Sequence, residues 1–178
     1  MTPDARFQRC VGIIFHDEAG FVDDPEDPGG ATNRGITIGT LSHWRGHQVS
    51  VDDVRNLTLE EAQAIYRASY WNAVAGDQLP GGVELIAFDC AVNQGPGTAV
   101  KLLQQAAGVD PDGHIGPLTL SALRTKEALL VIDAIHDERM VRYRTSSGWA
   151  RFGRGWTNRL NDIADQAHQW AQHEGPLP

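Results

Sequence analysis

His16-Asp17-Glu18-Ala19-Gly20-Phe21-Val22-Asp23-Asp24-Pro25-Glu26-Asp27-Pro28-Gly29-Gly30-Ala31-Thr32-Asn33-Arg34-Gly35-Ile36-Thr37 is the stretch on which the reading of this chain turns. Ahead of it, Phe7, Val11, Ile14 and Phe15 recur at the spacing of one helical face, and Gly20 supplies a stop just past Glu18. Behind Glu18, residues 21–37 hold too much Pro, Gly and Asp for a helix, while Gly35-Ile36-Thr37-Ile38 suits a short extended piece. A carboxyl therefore closes a rigid apolar helix and is followed at once by a chain that must turn sharply.

Helical periodicity dominates the remainder. A short helix is predicted over Leu41–Gly46. Thr58 with Glu61 three positions later forms the capping-box pattern and predicts a helix through Ala62, Ile65, Tyr66, Ser69 and Tyr70. A strongly apolar helix is predicted from Val83 to about Asn93, broken by Gly95-Pro96-Gly97 and resumed from Thr98 to Ala107. The turn-rich connector 108–117 leads into Leu118–Leu123, and two longer helices follow over about 126–145 and about 158–173. Few alternating strands remain, so the expectation is one mainly α globule.

The composition narrows the function classes. With 178 residues, 41% of them hydrophobic, the chain suits one compact domain or a domain with a small lobe. No apolar run reaches the roughly 18 residues of a membrane span, so no stable membrane insertion is expected. The start, Met1 to Cys10, lacks the pattern of a secretory signal, so a substrate outside the cytoplasm would be reached by another route. The net charge of −8, with no contiguous block of Lys and Arg, argues against nucleic acid. Cys10 and Cys90 lie in apolar helical patterns and read as buried free thiols. The seven His are scattered, and His-Glu-x-x-His, the EF-hand ligand order, the Gly-x-Ser-x-Gly elbow and a phosphate-cradling loop are all missing. No metal and no cofactor are expected.

What the opening stretch can do is glycoside chemistry. That reaction uses a protonated carboxyl at the leaving oxygen and a second group that manages the cation or activates water. Glu18 follows Ile13, Ile14 and Phe15, and desolvation at such a place raises a carboxyl's pKa. Asp27 stands nine positions on, across a loop able to fold back, and Thr32, Asn33 and Thr37 supply uncharged groups that orient a water. The competing reading makes Asp23, Asp24, Glu26 and Asp27 a turn-forming cluster, with Asp27 capping its own loop.

The same run resembles the signature of glycoside hydrolase family 108, whose pattern is Glu-Gly-Gly-Tyr followed by Asp-Pro-Gly-Gly-x-Thr-Asn-x-Gly-Ile-Thr. Tyr66-Arg67 with Tyr70-Trp71, and Phe88-Asp89 with Val92-Asn93-Gln94-Gly95, resemble two further motifs of that family. Leu103-Gln104, Gly108-Val109 and Asp112 to Leu120 look like its accompanying peptidoglycan-binding region, and Gly155-Trp156-Thr157-Asn158-Arg159 like its closing motif. Two departures stand beside Glu18. Ala19 replaces a Gly, and Phe21 replaces a Tyr and so loses a hydroxyl.

The resemblance implies a lysozyme-like helical globule with a small irregular or β-containing loop region at the active site. It implies a catalytic part over 1–95 and a helical peptidoglycan-binding part over 96–178, packed as one globule. It implies an N-acetylmuramidase with Glu18 as the acid and peptidoglycan glycan strands as partner. Asp27 and Thr32 follow the Glu-to-Asp-to-Thr order of phage-type lysozymes, which serves the water or the cation. Asn33, Thr37, Tyr70, Trp71 and Asn93 would build sugar subsites. For Trp71 core packing stands as an equal alternative, for Asn93 a helix C-cap, and Trp156 reads as a packed indole near a helix start. The family further suggests a monomeric phage endolysin, held in the host cytoplasm until a holin opens the way to the periplasm. A lytic transglycosylase and a non-catalytic peptidoglycan-binding module are the rival readings.

Overall fold

Phe7, Cys10, Val11 and Ile14 leave water almost completely, and this shared face makes the first helix, α1 (Pro3–Asp17). The computed structural model describes residues 1–17, 20–23 and 29–174. Its contacts gather residues 1–68 and 69–178 into two compact units.

In the first unit a small antiparallel pair, β1 (Thr32–Asn33) and β2 (Ile36–Thr37), sets Thr32 opposite Thr37 and Asn33 opposite Ile36. The turn between them is Arg34-Gly35, both at positive φ (52° and 73°), as a tight two-residue hairpin turn demands. Glycine meets that demand freely; Arg34 meets it at a cost. Val22 bridges to Thr32 through two backbone hydrogen bonds of 2.8 Å.

β2 feeds directly into α2 (Ile38–Arg45), because the Thr37 hydroxyl accepts the Thr40 N–H as N-cap. The helix therefore begins earlier than the apolar pattern at Leu41 suggests. A full capping box between Ser50 and Asp53 starts α3 (Val51–Arg55), five residues and too short to show periodicity. As the sequence predicts, Thr58 caps α4 (Leu59–Tyr66) by accepting the Glu61 N–H at 3.1 Å. Arg45 donates to both Glu61 oxygens at 2.9 and 2.8 Å and to Asp53 at 2.9 Å, which ties the end of α2 to α3 and α4.

The chain continues through a π-helical turn (Arg67–Trp71) and a 3₁₀ turn (Gly76–Gln78). The second unit is then built around α5 (Val83–Gln94), which buries every residue from Val83 to Ala91. Three helices pack on it: α6 (Pro96–Ala107), α8 (Ala128–Thr145) and α9 (Trp149–Glu174). Against α6 lies α7 (Pro117–Thr125). Gln104 staples the connector before it, accepting the Gly113 N–H and donating to Asp112 and to the His114 carbonyl.

The last helix starts at Trp149, nine residues ahead of the start at about 158 that the sequence predicts. The Trp149 indole lies over Gly153, where a Cβ would come within 2.5 Å of the ring. Here glycine makes room for a ring instead of ending a helix. The mainly α, lysozyme-like expectation holds, with only two short strands among the described residues.

One carboxylate organises the second unit. Asp89, fully buried on α5, accepts from Arg139 on α8 at 2.6 Å, from Arg159 on α9 at 3.0 and 3.2 Å, and from Asn93 at 3.1 Å. Arg139 is itself fully buried and also donates to the Tyr143 hydroxyl at 3.2 Å. Beside this clamp, burial pushes the Cys90 thiol up to about 11, and both Cys10 and Cys90 are buried free thiols.

Two outcomes test these arrangements. Asp89→Asn leaves a buried guanidinium without its counter-charge and is expected to cost about 3–5 kcal/mol in urea unfolding, the range for breaking a buried pair. Glu61→Gln, in a partly exposed network, is expected to cost about 1 kcal/mol at pH 7. Hydrogen bonding from Arg45 holds the Glu61 carboxyl below its ordinary 4.5, so its contribution is complete above that pH and fades as pH falls through the lowered value. Unfolding at pH 7 and in acid should therefore show the wild type and Glu61→Gln converging in acid.

Candidate active site

Glu18 and Asp27 lie outside the described residues; what the structure does describe is how the chain on either side is held. Near the end of α1, Phe15 meets the Tyr66 ring edge-on, with centroids 4.9 Å apart. The Tyr66 hydroxyl donates to the Arg34 carbonyl at 3.1 Å. One side chain thus contacts both the helix that precedes Glu18 and the tip of the hairpin that closes the loop. The sequence shows Tyr66 as a helical aromatic inside a family motif and not its second partner, which is 32 positions away. Phe21, where the related motif carries Tyr, lies beneath the Arg55 guanidinium at 4.4 Å, a cation–π contact that uses the ring alone.

The strand register sorts the three candidates on the hairpin. Thr32 and Thr37 are direct partners, so their side chains share one face, and both are half-exposed. Asn33 and Ile36 share the opposite, buried face. The Thr32 hydroxyl donates to the Gly30 carbonyl at 3.2 Å, and its oxygen lone pairs remain able to accept a hydrogen bond from water. Thr37 caps α2 and exchanges a 3.0 Å hydrogen bond with Thr40. Asn33 spends both amide hydrogens on α3, donating to the Val54 carbonyl at 2.9 Å and the Arg55 carbonyl at 3.1 Å. In this arrangement Asn33 holds the hairpin, and Thr32 and Thr37 present its open side.

In the second unit the candidates divide as well. Trp71 is fully buried; its indole N–H donates to Asp77 at 2.8 Å and its ring packs edge-on against Phe88 at 5.4 Å. That ring offers no open face to a sugar and belongs to the core. Tyr70, half-buried, sits beside it in the π-helical turn, a distortion frequent at functional sites. Asn93 is exposed at the C-terminal end of α5. Its amide nitrogen donates to the Asp89 carbonyl at 2.9 Å and to the Asp89 carboxylate, which fixes the amide's orientation and leaves its oxygen as an acceptor.

Asp89 and Arg159 are the residues that motif reading quoted and assigned no role. Their signal was present: a carboxylate inside an apolar helix has to find a cation, and Arg159 supplies one from 70 positions away. Among the described residues no cluster of three or more His, Cys, Asp or Glu is placed to hold a metal ion, and no helix is long and apolar enough to cross a membrane.

These motifs have counterparts. The family model for glycosyl hydrolase 108 matches residues 11–95, and that for a predicted peptidoglycan domain matches residues 98–161. No curated protein shows a significant match. The solved structure of Brucella abortus SagA is similar with a TM-score of 0.86 and 44% sequence identity, covering 94% of this chain and 97% of that one. With a glycoside hydrolase region followed by a peptidoglycan domain the chain is a peptidoglycan hydrolase, and it belongs to the glycosyl hydrolase 108 family.

Proposed function

We propose that the chain is an N-acetylmuramidase that hydrolyses the β-1,4 bond between N-acetylmuramic acid and N-acetylglucosamine, with Glu18 protonating the leaving oxygen. The observation that carries this reading is the anchored hairpin. Its open side bears the Thr32 and Thr37 hydroxyls, and its tip is tied through Tyr66 to the helix that ends next to Glu18. Catalysis needs the acid and the water held in place, and the described chain on either side supplies fixed supports for them.

Thr32, its hydrogen already given to Gly30, orients a water by accepting from it. A hydroxyl cannot take that water's proton; Asp27 is the carboxylate proposed to take it, and where Asp27 only forms its loop the Glu18 carboxylate left by the first step takes it instead. A lytic transglycosylase needs no attacking water: the sugar's own 6-hydroxyl attacks, gives its proton to the Glu18 carboxylate left by the first step, and leaves a 1,6-anhydro end. Tyr70 and Asn93 are proposed as substrate contacts.

The likeness of the motifs to those of phage endolysins supports a role in lysis. In that role the chain acts as a monomer, waits in the host cytoplasm and reaches the periplasm when a holin opens the membrane. Co-expression with and without a holin tests it: turbidity should fall only when both are present, and lysis without a holin would refute that dependence.

Glu18→Gln keeps the shape of the side chain and removes its proton. It is expected to lower turnover on purified sacculi by about 100-fold or more, the scale of general-acid catalysis, while sacculus binding persists. Turnover near wild type would overturn the assignment. Mass spectrometry of the released fragments is expected to show reducing N-acetylmuramic acid ends. Anhydro ends, with Asp27→Asn still active, would make the enzyme a transglycosylase.

A further inference from the structure

The net charge of −8 conceals a local reversal. From Arg139 to Asn161 the chain carries six arginines and neither Asp nor Glu. Two of the six, Arg139 and Arg159, close on the carboxylate of Asp89. Arg142 and Arg144 are exposed in the last turn of α8, and neither has an ion-pair partner among the described residues.

Within the 69–178 unit, this basic region borders a pocket of about 320 Å³. Arg142, Tyr143 and Ser146 line it from the end of α8, Asn93 and Thr98 from the junction of α5 and α6, and Trp156 from α9. The Tyr143 and Trp156 rings lie 5.2 Å apart at 33° and give one wall a flat apolar surface. Thr98 stands in the first turn of α6, which has no acidic residue and no side-chain cap. Two of the lining residues bond directly to the clamp, Asn93 to Asp89 and Tyr143 to Arg139.

These groups select a ligand by chemistry. Asn93 has spent its donor on Asp89 and keeps an acceptor, so it takes an N–H. Arg142 takes a carboxylate. Ser146 and Thr98 adapt to either sign, and the Trp156 face takes an apolar surface. In intact peptidoglycan the lactyl carboxyl of N-acetylmuramic acid is tied up as an amide, so the glycan strand carries N–H groups and no free carboxylate. The stem peptide carries both. We propose that this pocket binds the acidic stem peptide of peptidoglycan, which ties glycan cleavage to strands that still bear peptides. The proposal rests on peptidoglycan as substrate and adds a peptide contact within the 69–178 unit.

The test uses the full-length protein and three ligands: the free acidic stem tripeptide, intact sacculi, and glycan strands stripped of peptide by an amidase, which expose the lactyl carboxylate. Calorimetric titration should show saturable tripeptide binding that weakens about tenfold in Arg142→Gln, the loss expected for one charge-assisted hydrogen bond. It should be unchanged in Arg124→Gln. Wild-type kcat/KM should favour intact sacculi over stripped strands, and Arg142→Gln should lose that preference through KM with an unaltered thermal midpoint. No saturable tripeptide binding, or binding indifferent to Arg142→Gln, would overturn the proposal. Stripped strands preferred over intact ones would also overturn it, and would assign Arg142 to the lactyl carboxylate. Failure to release glycan fragments from either polymer would count against the glycosidase reading, and the tripeptide titration would still decide the pocket.

Discussion

A carboxylate in the middle of an apolar helix is the constraint on which the second unit depends. Asp89 has no access to water, and an unpaired charge there would cost several kcal/mol. It is satisfied only if α8 delivers Arg139 and α9 delivers Arg159 to the same two oxygens. Apolar packing alone would let these helices slide by a turn with little loss, because leucine on leucine is tolerant of register. The guanidinium hydrogen bonds are not tolerant. The clamp therefore fixes where along α5 the other two helices stop, and with them the position of Arg142, Tyr143 and Trp156.

In the first unit the corresponding constraint is a strained turn. Arg34 adopts a positive φ that a side chain with a Cβ disfavours, and such a conformation persists only where neighbours over-determine it. Tyr66 holds the Arg34 carbonyl, Asn33 binds two carbonyls of α3, and Ile36 is buried beneath. The strain is thus stored in the turn of the hairpin, whose register sets Thr32 and Thr37 on one face.

Much of this was legible in the sequence, and most of the exceptions share a cause. Long helices with one apolar face announce themselves, and Thr58 announced a helix start by its spacing to Glu61. That pair was readable because its partners lie three residues apart, ahead of a helix long enough to show its apolar face. The Ser50 and Asp53 box, ahead of a five-residue helix, was not. What depended on distant partners was not. Trp71 reads equally as a sugar platform or as core until Phe88 and Asp77 are seen against it. Asn33 reads as a ligand until Val54 and Arg55 take its hydrogens. The charge reversal after Arg139 was in plain view, but a net charge averages it away.

Thr32 and Asn93, in separate units, are prepared in the same way. Each carries groups that can donate as well as accept, and each has its donor occupied by a carbonyl or carboxylate of its own unit. What remains is an acceptor with a fixed direction. An ambivalent group in water reorients to suit whatever arrives, and part of the binding free energy is lost to ordering it. A group whose donor is already engaged has been ordered by folding, so its contact discriminates between an arriving N–H or O–H and an arriving carbonyl. Folding thereby sets the polarity of each contact before any sugar or peptide is present, and a polymer that alternates amides, hydroxyls and carboxylates is the kind of ligand such fixed polarity can read.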